Sequence, residues 1–239
     1  MEATMDRIEV THHQIHSPGE SRTPDFFEAM LRDDERVDEW VQDEASLLGT
    51  IQKLLALGVS GLVIYGLAMG IVMELAKPQV LIQGTPVLWV PLALVGGFLG
   101  AIAICLPSFY FYTQLAGLDA SFRLITAQSL RVQARASVIL LGVLPFYIAW
   151  ALAGFLGIEV LAADLELVIV IGFLVPFLVG NAGLLSIYRS FRRLVHRLPI
   201  THRRRGNVVL RMVLCWGAVV LAIAPVAIYR LAEFLSQII

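Results

Sequence analysis

Residues 188–211 read YRSFRRLVHRLPITHRRRGNVVLR and contain eight arginines, the densest basic stretch of the chain. Arg189, Arg192, Arg193, His196 and Arg197 are spaced i, i+3, i+4, i+7 and i+8, so they line one side of a helix that continues out of the preceding apolar run. Phe191, Leu194, Val195 and Leu198 occupy much of the other side. Pro199 ends the stripe, and Arg203-Arg204-Arg205-Gly206-Asn207 is expected to turn the chain back. A basic amphipathic segment joining two apolar runs is a membrane-surface loop, and it sets the threading of the whole chain.

Composition agrees. The 239 residues are 58% hydrophobic and only 15% charged, outside the usual range of soluble domains, which makes this a membrane protein. Thirteen of nineteen acids precede Leu47, whereas fourteen of eighteen bases follow it. Because most arginines sit in short loops pinned at a bilayer surface, nucleic acid is excluded as a partner. Cys105 and Cys215 each lie inside an apolar run, so neither a disulfide nor a metal pattern is implied. The opening Met1-Glu2-Ala3-Thr4-Met5-Asp6 lacks a basic region followed by an apolar core, so no cleavable signal peptide is expected. Arginine-rich, lysine-poor usage fits a GC-rich bacterial genome, so the expected location is a bacterial inner (plasma) membrane.

Residues 1–46 form an acidic cytosolic tail. Its first half mixes His, Ser, Gly and Pro without periodicity, as disordered segments do, and His12, His13 and His16 lack the carboxylate or thiolate needed to complete a metal site. From Thr23, a cap followed by Pro24 and Asp25, an amphipathic helix is predicted. Phe26, Phe27, Met30, Val37, Trp40 and Val41 cluster on one face of it. That face either rests on the protein body or docks a partner, with Phe26, Phe27 and Trp40 as anchors.

The remainder, 47–239, is predicted to be a bundle with spans near 54–73, 87–110, 137–158, 167–188 and 208–229, each close to the ~20 residues that cross a bilayer. The fold class is therefore all-α, a polytopic membrane helix bundle of about five spans. Gly66 and Gly70, like Gly96 and Gly100, are spaced for close helix approach. Phe109 to Tyr112 form an aromatic belt. Segment 113–136, which carries Arg123, Arg131 and Arg135, is expected to lie outside the hydrocarbon as an interfacial or folded-back helix. A short tail from Arg230 follows the last span. With the N-terminus inside, twelve bases (Lys53, the three just named and the eight of 188–211) face the cytosol against Lys77 and Arg230 outside, and five spans leave the C-terminus outside.

Charged groups at mid-depth usually mark transport paths. None is predicted here, and Asn181 is the most polar group inside a span, where its amide is expected to tie two helices together. Pro145, Pro176 and Pro225 interrupt spans three, four and five. No nucleophile elbow, zinc-protease or phosphate-loop motif occurs, so no catalytic residue, cofactor or metal is assigned and the chain reads as a non-enzyme.

Leu106-Pro107-Ser108-Phe109-Tyr110 ends span two, Ala116-Gly117-Leu118 follows it, and Leu144-Pro145-Phe146 lies within span three. With a cytosolic tail, five close spans and an external C-terminus, these resemble the Yip family of Rab-interacting membrane proteins and its bacterial relatives over about residues 50–235. The Asp-Leu-Tyr-Gly-Pro element found ahead of the first span in eukaryotic members is absent. The resemblance implies membrane organisation or trafficking rather than catalysis.

Function is accordingly expected on the cytosolic face. The leading expectation is a scaffold or adaptor that recruits a cytosolic or membrane protein, or anionic lipid headgroups, through Phe26, Phe27, Trp40, Arg192, Arg193, Arg203, Arg204 and Arg205, alone or as a homo-oligomer. The alternative is a subunit of a transporter or channel, which predicts a polar cavity or oligomeric pore near Asn181. A further reading has the acidic tail folding onto the basic loop as an intramolecular latch.

Overall fold

A computed structural model describes residues 47–77, 84–115, 121–157, 165–197 and 203–238, with some side chains of 182–210 outside that description. The chain forms five helices: α1 (Leu47–Ala76), α2 (Pro86–Leu115), α3 (Phe122–Phe155), α4 (Leu165–Arg197) and α5 (Arg203–Ile238). Four helices carry apolar stretches long enough to cross a membrane, while the shorter one in α4 covers Leu165–Asn181. The sequence from Ala182 to Ile187 is apolar apart from Ser186, and α4 continues without a break to Arg197.

The helices close a ring in the order α1, α2, α5, α4, α3, with lesser contacts across it from α1 to α4 and from α2 to α3. Close approaches fix the directions. Gly66 and Gly70 of α1 lie against Pro91 and Pro86 of α2, where an added methyl would come within 2.6 Å of backbone atoms, so these helices run antiparallel. Gly58 and Gly61 meet Gln133 and Ser137 in ascending order, so α1 and α3 run parallel. Gly66 and Gly70, like Gly58 and Gly61, thus serve packing within one chain, whereas Gly100, expected to pair with Gly96 in close helix approach, faces open space. Gly97 meets Ile228, and Trp216 Nε1 donates to the Cys105 carbonyl at 3.0 Å, setting α5 antiparallel to α2.

Local chemistry explains the helix ends. Pro86 opens α2, where its missing N–H costs nothing. Ser121 caps α3, its side chain accepting from the Leu124 N–H at 3.2 Å, and Gly157 takes a left-handed conformation (φ 67°) just past the helix end. At the far end of α1, Lys77 Nζ donates to Glu74 at 3.3 Å and to the Gly84 carbonyl, clasping the α1–α2 connection.

Three expectations are corrected. Segment 113–136 is not a separate interfacial helix: α2 continues through Leu115, and after the connection α3 runs unbroken from Phe122 into span three. At about 1.5 Å per residue, α3 is about 51 Å long, well beyond the ~30 Å hydrocarbon, so its polar first third projects past that layer while remaining packed. Arg203 to Asn207 do not form a turn, because α5 already begins at Arg203. Arg230 does not begin a loose tail either, since α5 continues to Ile238 with Arg230 paired to Glu233 at 3.2 Å.

Candidate functional site

The helix directions gather the start of α1, the end of α2, the start of α3, the end of α4 and the start of α5 at one end of the bundle. That end bears twelve bases: Lys53, Arg123, Arg131, Arg135, Arg189, Arg192, Arg193, Arg197, Arg203, Arg204, Arg205 and Arg211. Among the described residues every acid (Glu74, Glu166 and Glu233) belongs to the opposite end. The positive-inside rule therefore makes the basic end cytosolic.

Of the residues proposed for contact, Arg192 is exposed on the last turns of α4. Arg193 follows it on the same helix, and Arg203, Arg204 and Arg205 occupy the first turn of α5, with their side chains outside the described residues. The structure thus places these five on adjacent helix ends. Phe26, Phe27 and Trp40, like His12, His13 and His16, lie outside the described residues altogether.

A second polar feature is buried beside this end. The first half of α3 encloses Gln128, Ser129, Arg131, Gln133 and Ser137, and Arg131 is only 1% exposed. Ser137 Oγ donates to the Gly58 carbonyl at 2.7 Å, and Ser129 Oγ to the Ile125 carbonyl at 2.9 Å. Gln128 Oε1 and Gln133 Nε2 have no hydrogen-bond partner among the described residues. Arg131 is partnered, as a buried cation must be. It lies near the level of Leu54, where the apolar part of α1 begins, because neighbouring Leu130 packs in one cluster with Leu54.

This buried half-helix was missed from sequence. A usable signal was present: Ser129, Gln133 and Ser137 recur at i, i+4 and i+8 beside Ala134 and Ala136, a small and polar seam suited to a glycine-bearing partner helix. Arg123, Arg131 and Arg135 drew the segment toward the surface because their charge was read without knowing what packs beside them.

Away from that polar half-helix the main core of the bundle is apolar. A cavity of about 30 Å³, room for roughly two waters, lies among Phe98 and Ile102 of α2, Ser129 and Gln133 of α3, Gly180 of α4 and Trp216 of α5. Asn181 does not join it. Its side chain is exposed and donates back to the Phe177 carbonyl at 3.1 Å, so the expected tie between helices is replaced by a bond within α4. Gly180 and Gly183 turn inward, toward Leu221 and Val132.

Deeper in the bundle, Tyr65 Oη donates to the Gly172 carbonyl at 2.7 Å. That carbonyl is available because the residue four positions on is Pro176, which has no N–H to offer. Tyr147 packs against both, its ring 5.9 Å from that of Tyr65, and its hydroxyl has no partner among the described residues. Among the described residues no group of three His, Cys, Asp or Glu is placed to hold a metal ion.

No family model matches the chain, and neither a curated protein nor a solved structure is similar to it. The architecture itself is a five-helix membrane bundle with a strongly basic end.

Proposed function

We propose that this protein is a multi-pass scaffold or adaptor of a bacterial inner membrane, of the Yip-like kind, which recruits a partner or anionic lipid through its cytosolic end without catalysing a reaction. The observation that carries this proposal is the convergence of twelve basic residues from four helices at one end of the bundle. Arg189, Arg192 and Arg211 are exposed there. Each such arginine near an anionic surface contributes about 1 kcal/mol, so a handful suffices to hold a lipid cluster or an acidic partner. A transport path would need polar groups lining a continuous opening. Among the described residues, a cavity for roughly two waters and an outward-turned Asn181 give that alternative little to work with.

The test is to replace Arg203, Arg204 and Arg205 together by Gln and to purify the full chain from native membranes. Mass spectrometry then compares bound phospholipids and crosslinked proteins with those of wild type. Loss of co-purifying anionic lipid or of a crosslinked partner, with the topology unchanged, is expected. Unchanged recovery of both would refute the contribution of this cluster.

A further inference from the structure

Asn181 is a polar group that the fold turns out into the membrane. It lies eight residues from Arg189 and fifteen from Glu166, about 12 Å and about 22 Å along α4, so it sits inside the ~30 Å hydrocarbon layer. Its side chain is exposed, and one of its N–H groups is used on the Phe177 carbonyl of the same helix. The second N–H and the lone pairs of Oδ1 have no partner among the described residues. Ala182, Leu184 and Leu185, the neighbours within a turn whose side chains are outside the description, are apolar and cannot supply one. Lipid tails offer neither donor nor acceptor, so this hydrogen-bonding capacity is unspent.

A continuous strip runs through it. At 100° per residue, Leu167, Val170, Leu174, Leu178, Asn181 and Arg192 fall within a band about 80° wide, opposite the buried Gly172, Val179 and Gly183. All six are exposed, since α4 spends its inner sides on α3 and α5, its neighbours in the ring. The steps of three and four residues from Leu167 to Asn181 are close to those of a coiled-coil seam, in which a single asparagine sets the register of the pair. We infer that this face of α4 pairs with the same face of a second copy of the chain, the two Asn181 carboxamides hydrogen-bonding to each other across a two-fold axis normal to the membrane. Two properties select a second copy as the occupant. A carboxamide is donor and acceptor at once, so two of them satisfy each other reciprocally. The basic end gives every copy the same topology, which puts a second Asn181 at the same depth, as an isologous contact requires.

Arg192 lies about 16 Å further along the strip, beyond the hydrocarbon, where ions and headgroups screen its repulsion from its counterpart. The pair of copies sets two basic ends side by side on one membrane surface. This goes beyond the proposed scaffold role and stands or falls separately, because the contact forms whether or not lipid or a partner binds the basic end.

Disulfide trapping of the full chain in native membranes tests it, with Cys105→Ala and Cys215→Ala removing the natural thiols. Leu174→Cys, seven residues from Asn181 on the strip, should give a disulfide-linked dimer on copper-phenanthroline oxidation. Ile104→Cys, exposed on α2 across the ring, should not. Energy transfer between chains carrying donor or acceptor fluorophores at the N-terminus, diluted in liposomes, then reads the dissociation constant with both cysteines in place. Asn181→Leu should raise it about tenfold, and Asn181→Gln, which keeps the carboxamide, about threefold or less. Because position 181 faces lipid, the leucine should leave unfolding of the monomer in micelles unchanged. A chain that stays monomeric at every dilution, equal trapping from Ile104→Cys, or an unchanged dissociation constant in Asn181→Leu would overturn the inference. So would a Leu174→Cys adduct with a different protein in place of a dimer.

Discussion

Replacing Tyr65 by Phe tests how this bundle tolerates a proline deep in one of its helices. Pro176 removes the amide hydrogen that would have bonded the Gly172 carbonyl, and Tyr65 Oη supplies a substitute donor at 2.7 Å from a fully buried position. Removing one partner of a buried hydrogen bond costs about 1–3 kcal/mol, whereas hydrogen bonds between membrane helices have measured nearer ~0.6 and at most ~1.7. The expected loss for Y65F is therefore about 1–2 kcal/mol. In a Pro176→Ala background the helix regains its own donor to Gly172, so the same substitution should cost under about 0.5 kcal/mol, a coupling of about 1 kcal/mol. P176A by itself shifts stability in either direction, since it also straightens α4, and the cycle removes that contribution. Tyr147, whose unpartnered hydroxyl lies beside Gly172, offers a fallback donor. The cycle should therefore be run in a Y147F background as well, where the coupling is expected to be equal or larger. Equilibrium unfolding in mixed micelles reads all the variants. An equal cost of Y65F with and without Pro176 would refute the assignment of Tyr65 as the substitute donor.

Three further outcomes are expected. Gly66→Ala places a methyl 2.6 Å from the Pro91 Cα, where backbone must move, and should lower stability by about 1–3 kcal/mol in the same assay, whereas Gly100→Ala, with open space around it, should change little. Trp216→Phe removes the donor to the Cys105 carbonyl but keeps a ring able to stack on Phe109, whose centroid lies 4.7 Å away, so about 0.6–1.7 kcal/mol should be lost, against clearly more for Trp216→Ala. A reporter enzyme fused after Ile239 should behave as external, and cytosolic activity would reverse the orientation drawn from the basic end.

The apolar runs and the Gly66–Gly70 spacing were legible because each is a local pattern with a local cause, whereas the Gly96–Gly100 spacing misled, since Gly100 faces open space. The number of helices and the identity of the basic end followed from them, but helix length did not, since all five helices run well past the expected spans. What could not be read was how each helix is rotated and which partner it meets. Asn181 looked interior because it sits between two glycines, yet those glycines turn inward and carry the amide out. Gly206-Asn207 suggested a turn, but a helix already started at Arg203 can accommodate both in its first turns. The polar half of α3 looked superficial for a similar reason: α1, from a distant part of the sequence, places Gly58 and Gly61 against Gln133 and Ser137 and so encloses polar groups that composition assigns to water. At the candidate site, the arginines at the ends of α4 and α5 were visible from charge alone, whereas Arg131 and Gln128 were recognisable only once their neighbours were known.

The ring order also bears on biosynthesis. Since α5 packs between α2 and α4, the face of α2 bearing Gly97 has no lasting neighbour until Ile228 has been made, about 130 residues later. At ordinary elongation rates this is a wait on the order of ten seconds. During it, a half-built ring of parallel and antiparallel helices sits in the bilayer with one open seam. A chain cut short ahead of α5 would keep that seam open permanently, and its glycine-bearing edge would be the first place for another membrane helix to lodge.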